Sequence, residues 1–175
     1  MMKKVKKILG CSLAMMVLST TLVYAQIPEW STLSGNYGES VLLTEETQSE
    51  DTISETRRGI ILSTGMLEIS NNADGTLHIN CDTSAHKKVD KIYQTVFLDE
   101  WNEEDEDWVQ VGYWEFVRSK EEEEDEDLSF YHVGFTVTGC QVGRYYRARA
   151  MHLVELGDRM EGKATQTNGV LLTNN

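Results

Sequence analysis

From Arg57 onward the chain runs in short stretches of alternating apolar and polar residues, divided by turn residues, with no convincing helical period. FYHVGFTVT, at 130–138, is the plainest: Tyr131, Val133, Phe135 and Val137 alternate with His132, Gly134 and Thr136. Successive side chains of a strand point to opposite faces, so this run reads as a strand with one buried face. Six further runs read the same way: GMLEI, TLHINC, VDKIYQTVFLDEW, WVQVGYWEFV, RYYRARAMHL and KATQTNGVLLT. Between the first two, Asp74 and Gly75 favour the positive backbone angles of a tight hairpin, and Leu77, Ile79 and Cys81 then share one face. Strands roughly 8–15 residues apart predict an all-β fold, a single seven-stranded antiparallel β-sandwich over residues 57–175.

What precedes that domain has a different character. Lys3, Lys4, Lys6 and Lys7 lead into an apolar run over 8–23, and VYA ends at Ala25. A basic start, a short apolar run and a small-residue site are the order of a signal peptide over residues 1–25, cut between Ala25 and Gln26. The run is too short for a membrane span, which needs about 20 apolar residues, so no stable membrane insertion is expected after cleavage. Residues 26–56 are rich in Ser, Thr and Glu, with SVLL the one short strand candidate; they read as a flexible polar spacer. The expected location is therefore secreted, outside the cell.

Charge narrows the partners. The chain has 16 basic and 29 acidic residues, a net of −13, and loss of four leader lysines takes it to 12 − 29 = −17. Such a surface repels nucleic acid and anionic lipid. An extracellular protein or glycan is the expected partner class.

The sixth strand carries a resemblance. GRYYRARAMHLVELGDRMEGKA resembles the F strand and F–G turn of fibronectin type III domains, members of the immunoglobulin-like sandwich class. The resemblance implies that Tyr146, Ala148 and Ala150 point inward, Arg147 and Arg149 outward, and that the Tyr146 hydroxyl ties back to nearby backbone. The second strand departs from it in lacking a core tryptophan. The mature chain also resembles small exported proteins of anaerobic Gram-positive bacteria, a family of unknown function. The strand that carries this likeness contains Tyr145, Tyr146, Arg147, Arg149 and His152. A shared fold implies no active site.

Two acid runs, at 103–107 and 121–127, invite a metal reading. The strand between them, at about 3.3 Å per residue, holds them about 30 Å apart, so they do not share an ion. Neither contains the glycine of a calcium loop, and they read as solvated loops. Between Asp99 and Asp127 there are 15 acids against Arg118 and Lys120, and charged tips of this kind discourage pairing between edge strands. Ser70, Asn72, Asp74 and Gly75 have loop-like spacing, but Cys81 stands where a calcium loop has glutamate; a hairpin turn is expected there.

No catalytic motif is found: there is no G-x-S-x-G elbow and no glycine-rich phosphate loop, so the chain reads as non-catalytic and without cofactor. His78, His86, His132 and His152 lack the local pairing of zinc ligands and read as ordinary surface histidines. Trp101, Trp108 and Trp114 are the candidate ligand-binding residues, able to stack on sugar rings in a carbohydrate-binding module. The competing expectation is cross-strand packing, with Trp101 meeting Trp108. Cys81 and Cys140 are the one candidate disulfide. The expected register sets Cys81 about 15 Å along its strand from the turn that holds Cys140, against a Cα limit of about 7 Å. Unless the register shifts or the turn folds back, Cys81 is a core thiol and Cys140 a surface one.

Overall fold

The structure, a computed structural model, describes residues 29, 33–35, 38–54, 61–122 and 127–175. The expected leader and the Ala25–Gln26 cleavage site lie outside the described residues. The described residues form eleven strands: β1 (Ser34–Gly35), β2 (Leu42–Leu43), β3 (Gln48–Ser54), β4 (Leu62–Asn71), β5 (Leu77–Ala85), β6 (Lys91–Asn102), β7 (Asp107–Ser119), β8 (Phe130–Val137), β9 (Tyr145–Leu156), β10 (Arg159–Gln166) and β11 (Gly169–Leu171). No α-helix occurs among the described residues.

The smaller sheet has the order β3-β4-β5-β8, antiparallel throughout. In the larger one β9 is central: β6 and then β7 lie to one side, and β10 with its continuation β11 to the other. β1 pairs in parallel with β10, and β2 with β11. The sheets pack face to face, as the alternating pattern requires. Leu67, Ile69, Leu77, Ile79 and Cys81 from the smaller sheet meet Val96, Leu98, Tyr146, Ala148 and Ala150 from the larger. A second apolar cluster, including Leu62, Ile92, Leu128 and Val154, fills the other end.

The expectation of seven strands needs correction. All seven expected segments are strands, but KATQTNGVLLT is two, interrupted at Thr167 and Asn168, and the stretch expected to be a spacer supplies β1, β2 and β3. QSEDTIS in β3 hid its structure because a polar edge strand needs little apolar alternation. Its backbone pairs with β4 from Gln48 to Ser54, and Ser49 is its one buried residue. Asp51 ties it to the other sheet by accepting from the Gln166 amide at 2.8 Å.

Turn chemistry follows the sequence closely. In the β4–β5 hairpin Ala73 and Gly75 take positive φ, 60° and 83°, and Asp74 caps the turn by accepting from the Thr76 amide. The segment with calcium-like spacing is therefore this hairpin.

A polar layer crosses the core between the two apolar clusters. Gln94 on β6 donates through Nε2 to the Cys81 carbonyl, the Tyr131 carbonyl and Thr83 Oγ1, at 3.0, 2.9 and 3.0 Å, so it bridges the sheets. His152 on β9 is fully buried, with Nδ1 2.9 Å from Thr83 Oγ1 and Nε2 2.8 Å from Thr165 Oγ1. This corrects the surface reading of His152. Its neighbours at alternate positions, Ala150 and Val154, face inward, and it follows them. Gly65 makes room: a Cβ there would lie 2.6 Å from the imidazole.

Candidate functional site

The outward face of the larger sheet carries a cluster built by strand alternation. Phe97, Asp99 and Trp101 share the outer face of β6, and Arg147 and Arg149 share that of β9. The register sets Asp99 opposite Arg147 and Phe97 opposite Arg149. Asp99 is 1% exposed, an unusual burial for a carboxylate on an outward face. Its Oδ2 accepts from Arg147 Nε at 2.9 Å and Arg149 Nε at 2.7 Å, and its Oδ1 from Arg149 Nη2 at 2.8 Å. One buried carboxylate thus orients two guanidinium groups, one of them in a bidentate grip.

Aromatic rings complete the enclosure. Arg147 lies over Trp108, 4.6 Å from the ring centroid, and Arg149 over Phe97 at 4.8 Å, both within cation–π range. Trp101 meets Trp108 edge-on at 5.3 Å, and Tyr113 meets Phe97 at 5.5 Å. The Trp108 ring extends to β11, where a Cβ on Gly169 would sit 2.6 Å from it. Arg147 also donates to Ser40 Oγ at 3.1 Å, which joins the stretch expected to be a spacer to the cluster. Burial pushes the Arg147 guanidinium down from its ordinary value, against the pull of Asp99.

The three candidate tryptophans are not brought together. Trp101 and Trp108 form the expected cross-strand pair, but Trp114 faces the opposite way and packs on Phe135 at 5.0 Å. In a regular strand Trp108 and Trp114, six residues apart, share a face. The β6–β7 register passes from Leu98↔Gly112 to Asp99↔Gln110, leaving Val111 as an extra residue. That bulge reverses the alternation and turns Trp114 into the seam between the sheets.

The other candidates fall as follows. Cys81 and Cys140 are unbridged; Cys81 is buried, its Sγ 3.9 Å from His152 Nδ1, and burial pushes its thiol up. Cys140 is half-buried against the main core cluster rather than on the surface. The acid run at 103–107 forms the β6–β7 turn, and the second begins after β7, at the opposite end of that strand; its residues 123–126 lie outside the described residues. His78 and His132 lie on the outer face of the smaller sheet, where His132 Nδ1 is 2.5 Å from Asp82 Oδ1. Tyr146 is buried and its hydroxyl accepts from the Gln141 amide at 2.9 Å, the backbone tie implied by the resemblance, while donating to Glu100 at 2.8 Å.

The sequence reading missed Asp99, Arg149, Phe97 and the buried His152 as members of clusters. One signal was available: an aspartate inside VFLDEW, at a position whose strand neighbours Phe97 and Trp101 are aromatic, needs a charged partner.

A family model described as a family of unknown function (DUF6147) matches residues 34–170. No curated protein matches the chain.

Proposed function

We propose that this chain, which belongs to the DUF6147 family of unknown function, is a secreted, non-catalytic module that binds an extracellular protein or glycan through the outer face of its larger sheet. The observation that carries the reading is Asp99. Burying a charged group is costly, and apolar residues of similar volume commonly stabilise a fold at least as well as a buried ion pair. Holding two arginines in fixed positions against Trp108 and Phe97 produces a rigid surface of donors and rings, a useful property for recognition. The basic, apolar N-terminal segment and the acidic balance support export, and the lack of a nucleophile motif supports binding over catalysis.

We also infer that the sandwich is of the fibronectin type III or immunoglobulin-like kind. The order β4-β5-β8 in one sheet and β7-β6-β9-β10 in the other supports this, as does the tie from Tyr146 to the Gln141 backbone. β1, β2 and β3 are additions to that plan.

A carbohydrate ligand is the second reading, favoured because Trp101 and Trp108 adjoin the guanidinium donors. Trp114 has no place in it. Arg147 already occupies one face of Trp108, which leaves Trp101 as the ring to test. The test is a screen against polysaccharides and extracellular proteins, with Trp101→Ala as the variant. Saturable binding that falls at least about tenfold in Trp101→Ala, with folding intact, supports the reading. Absence of binding across the screen, or equal binding by the variant, removes it.

A further inference from the structure

The two sheets leave a seam along one side. Its rims are β7 and β8, which among the described strands pair only with β6 and with β5, respectively. Seven large apolar side chains are exposed among the described residues, and four of them, Val109, Val111, Tyr113 and Val117, lie on β7. Edge strands usually carry lysine or proline to discourage an incoming strand. Residues 108–117 contain neither.

The bulge at Val111 is accompanied by two clefts. One, of about 320 Å³, is lined by Leu98, Glu100, Val111, Trp114, Cys140 and Tyr146 among others. The second, of about 260 Å³, shares Glu100 and Val111 and reaches Trp101 and Arg144. Glu100 is thus a carboxylate common to both, oriented by the Tyr146 hydroxyl at 2.8 Å. Just beyond it, residues 103–107 are five consecutive acids.

We propose that the free edge of β7, with the clefts at Glu100, docks an extended basic peptide segment of another protein. The segment adds a strand to the larger sheet and places a lysine or arginine side chain against Glu100. Its alternate side chains meet Val111 and Trp114 on one side and Tyr113 and Val117 on the other. Charge decides between this occupant and a second copy of the chain. A parallel second copy lays one acidic 103–107 turn beside another. An antiparallel copy lays that turn beside the far end of β7, which the sequence continues into the acidic run 121–127. Like charges oppose both arrangements, whereas a basic segment is attracted along the same edge. The inference rests on the reading of the protein as a binding module; the β7 edge adjoins the Asp99 cluster and shares Trp101 and Tyr113 with it, while the peptide's own determinants are Glu100 and Val111.

The test uses the purified protein and a synthetic peptide of about eleven residues, long enough to follow β7. The peptide alternates valine with threonine and carries lysines at its centre and both ends, and binding is read by fluorescence anisotropy. Saturable binding is expected, weakening as salt is raised and lost when alternate peptide amides are N-methylated. Glu100→Gln, which keeps an acceptor for Tyr146, should weaken the lysine peptide about tenfold and leave a peptide with central norleucine unaffected. Val111→Lys, at an exposed position, should block docking in a folded protein. Equal binding of the N-methylated peptide, indifference to both substitutions, absence of binding, or a β7-paired homodimer in sedimentation each overturns the proposal. Retained Trp101-dependent binding with no peptide binding sinks this docking site alone. Loss of both sinks the module reading as well.

Discussion

Asp99 shows how one side chain sets the chemistry of a surface. It accepts three hydrogen bonds from two arginines that are themselves half-buried. Asp99→Asn leaves both guanidinium groups without their counter-charge, and unfolding in urea should show a loss of about 3 kcal/mol. Replacing Asp99, Arg147 and Arg149 together with leucine or methionine should recover most of that stability. If the triple variant folds well yet no longer binds at this face, the charges serve recognition; if it neither folds nor recovers stability, they serve the fold.

At the scale of strands, placement was written plainly wherever alternation had an apolar face to report. β5, β8 and β9 were legible because Leu77, Ile79 and Cys81, Tyr131, Val133 and Phe135, and Tyr146, Ala148 and Ala150 are each spaced two apart; those of β5 and β9 are fully buried and those of β8 half-buried. β3 was not, because a polar edge strand is held by backbone pairing and leaves almost no side-chain signature. The bulge at Val111 was also illegible. It inserts a single residue into a run of alternation that continues on both sides, and only the pairing with β6 shows where the parity changes. Half of the aromatic site could therefore be read: the Trp101–Trp108 pair follows from a hairpin, while the exclusion of Trp114 does not. His152 is illegible from residue type, because histidines occur both inside and at the surface, whereas its strand neighbours Ala150 and Val154 mark the position as inward. Gly65→Ala tests how tightly β4 is fitted to that imidazole. The added Cβ would lie 2.6 Å from the ring, so a loss of about 2 kcal/mol is expected in urea titration, and less in a His152→Ala background where the ring is gone.

For the whole molecule, the buried imidazole makes stability depend on pH. Burial drives His152 down to about 4 from an ordinary 6.5. The unfolded chain therefore binds a proton between those values that the folded one refuses, and stability rises with pH through that window. From pH 6.5 down to pH 4 the loss from this group should be about 3 kcal/mol, read as a falling urea midpoint. Below pH 4 it levels off, and in His152→Gln the slope should flatten relative to the parent across the same range.

The polar band of Thr83, Gln94 and His152 also restricts how the two layers can lie on one another. Oil on oil permits slippage, since a leucine slid past a valine still meets hydrocarbon. A glutamine amide that reaches from one layer to two carbonyls of the other has a single home, and sliding by one residue pair strands those groups in a dry interior. The layers are keyed as well as glued.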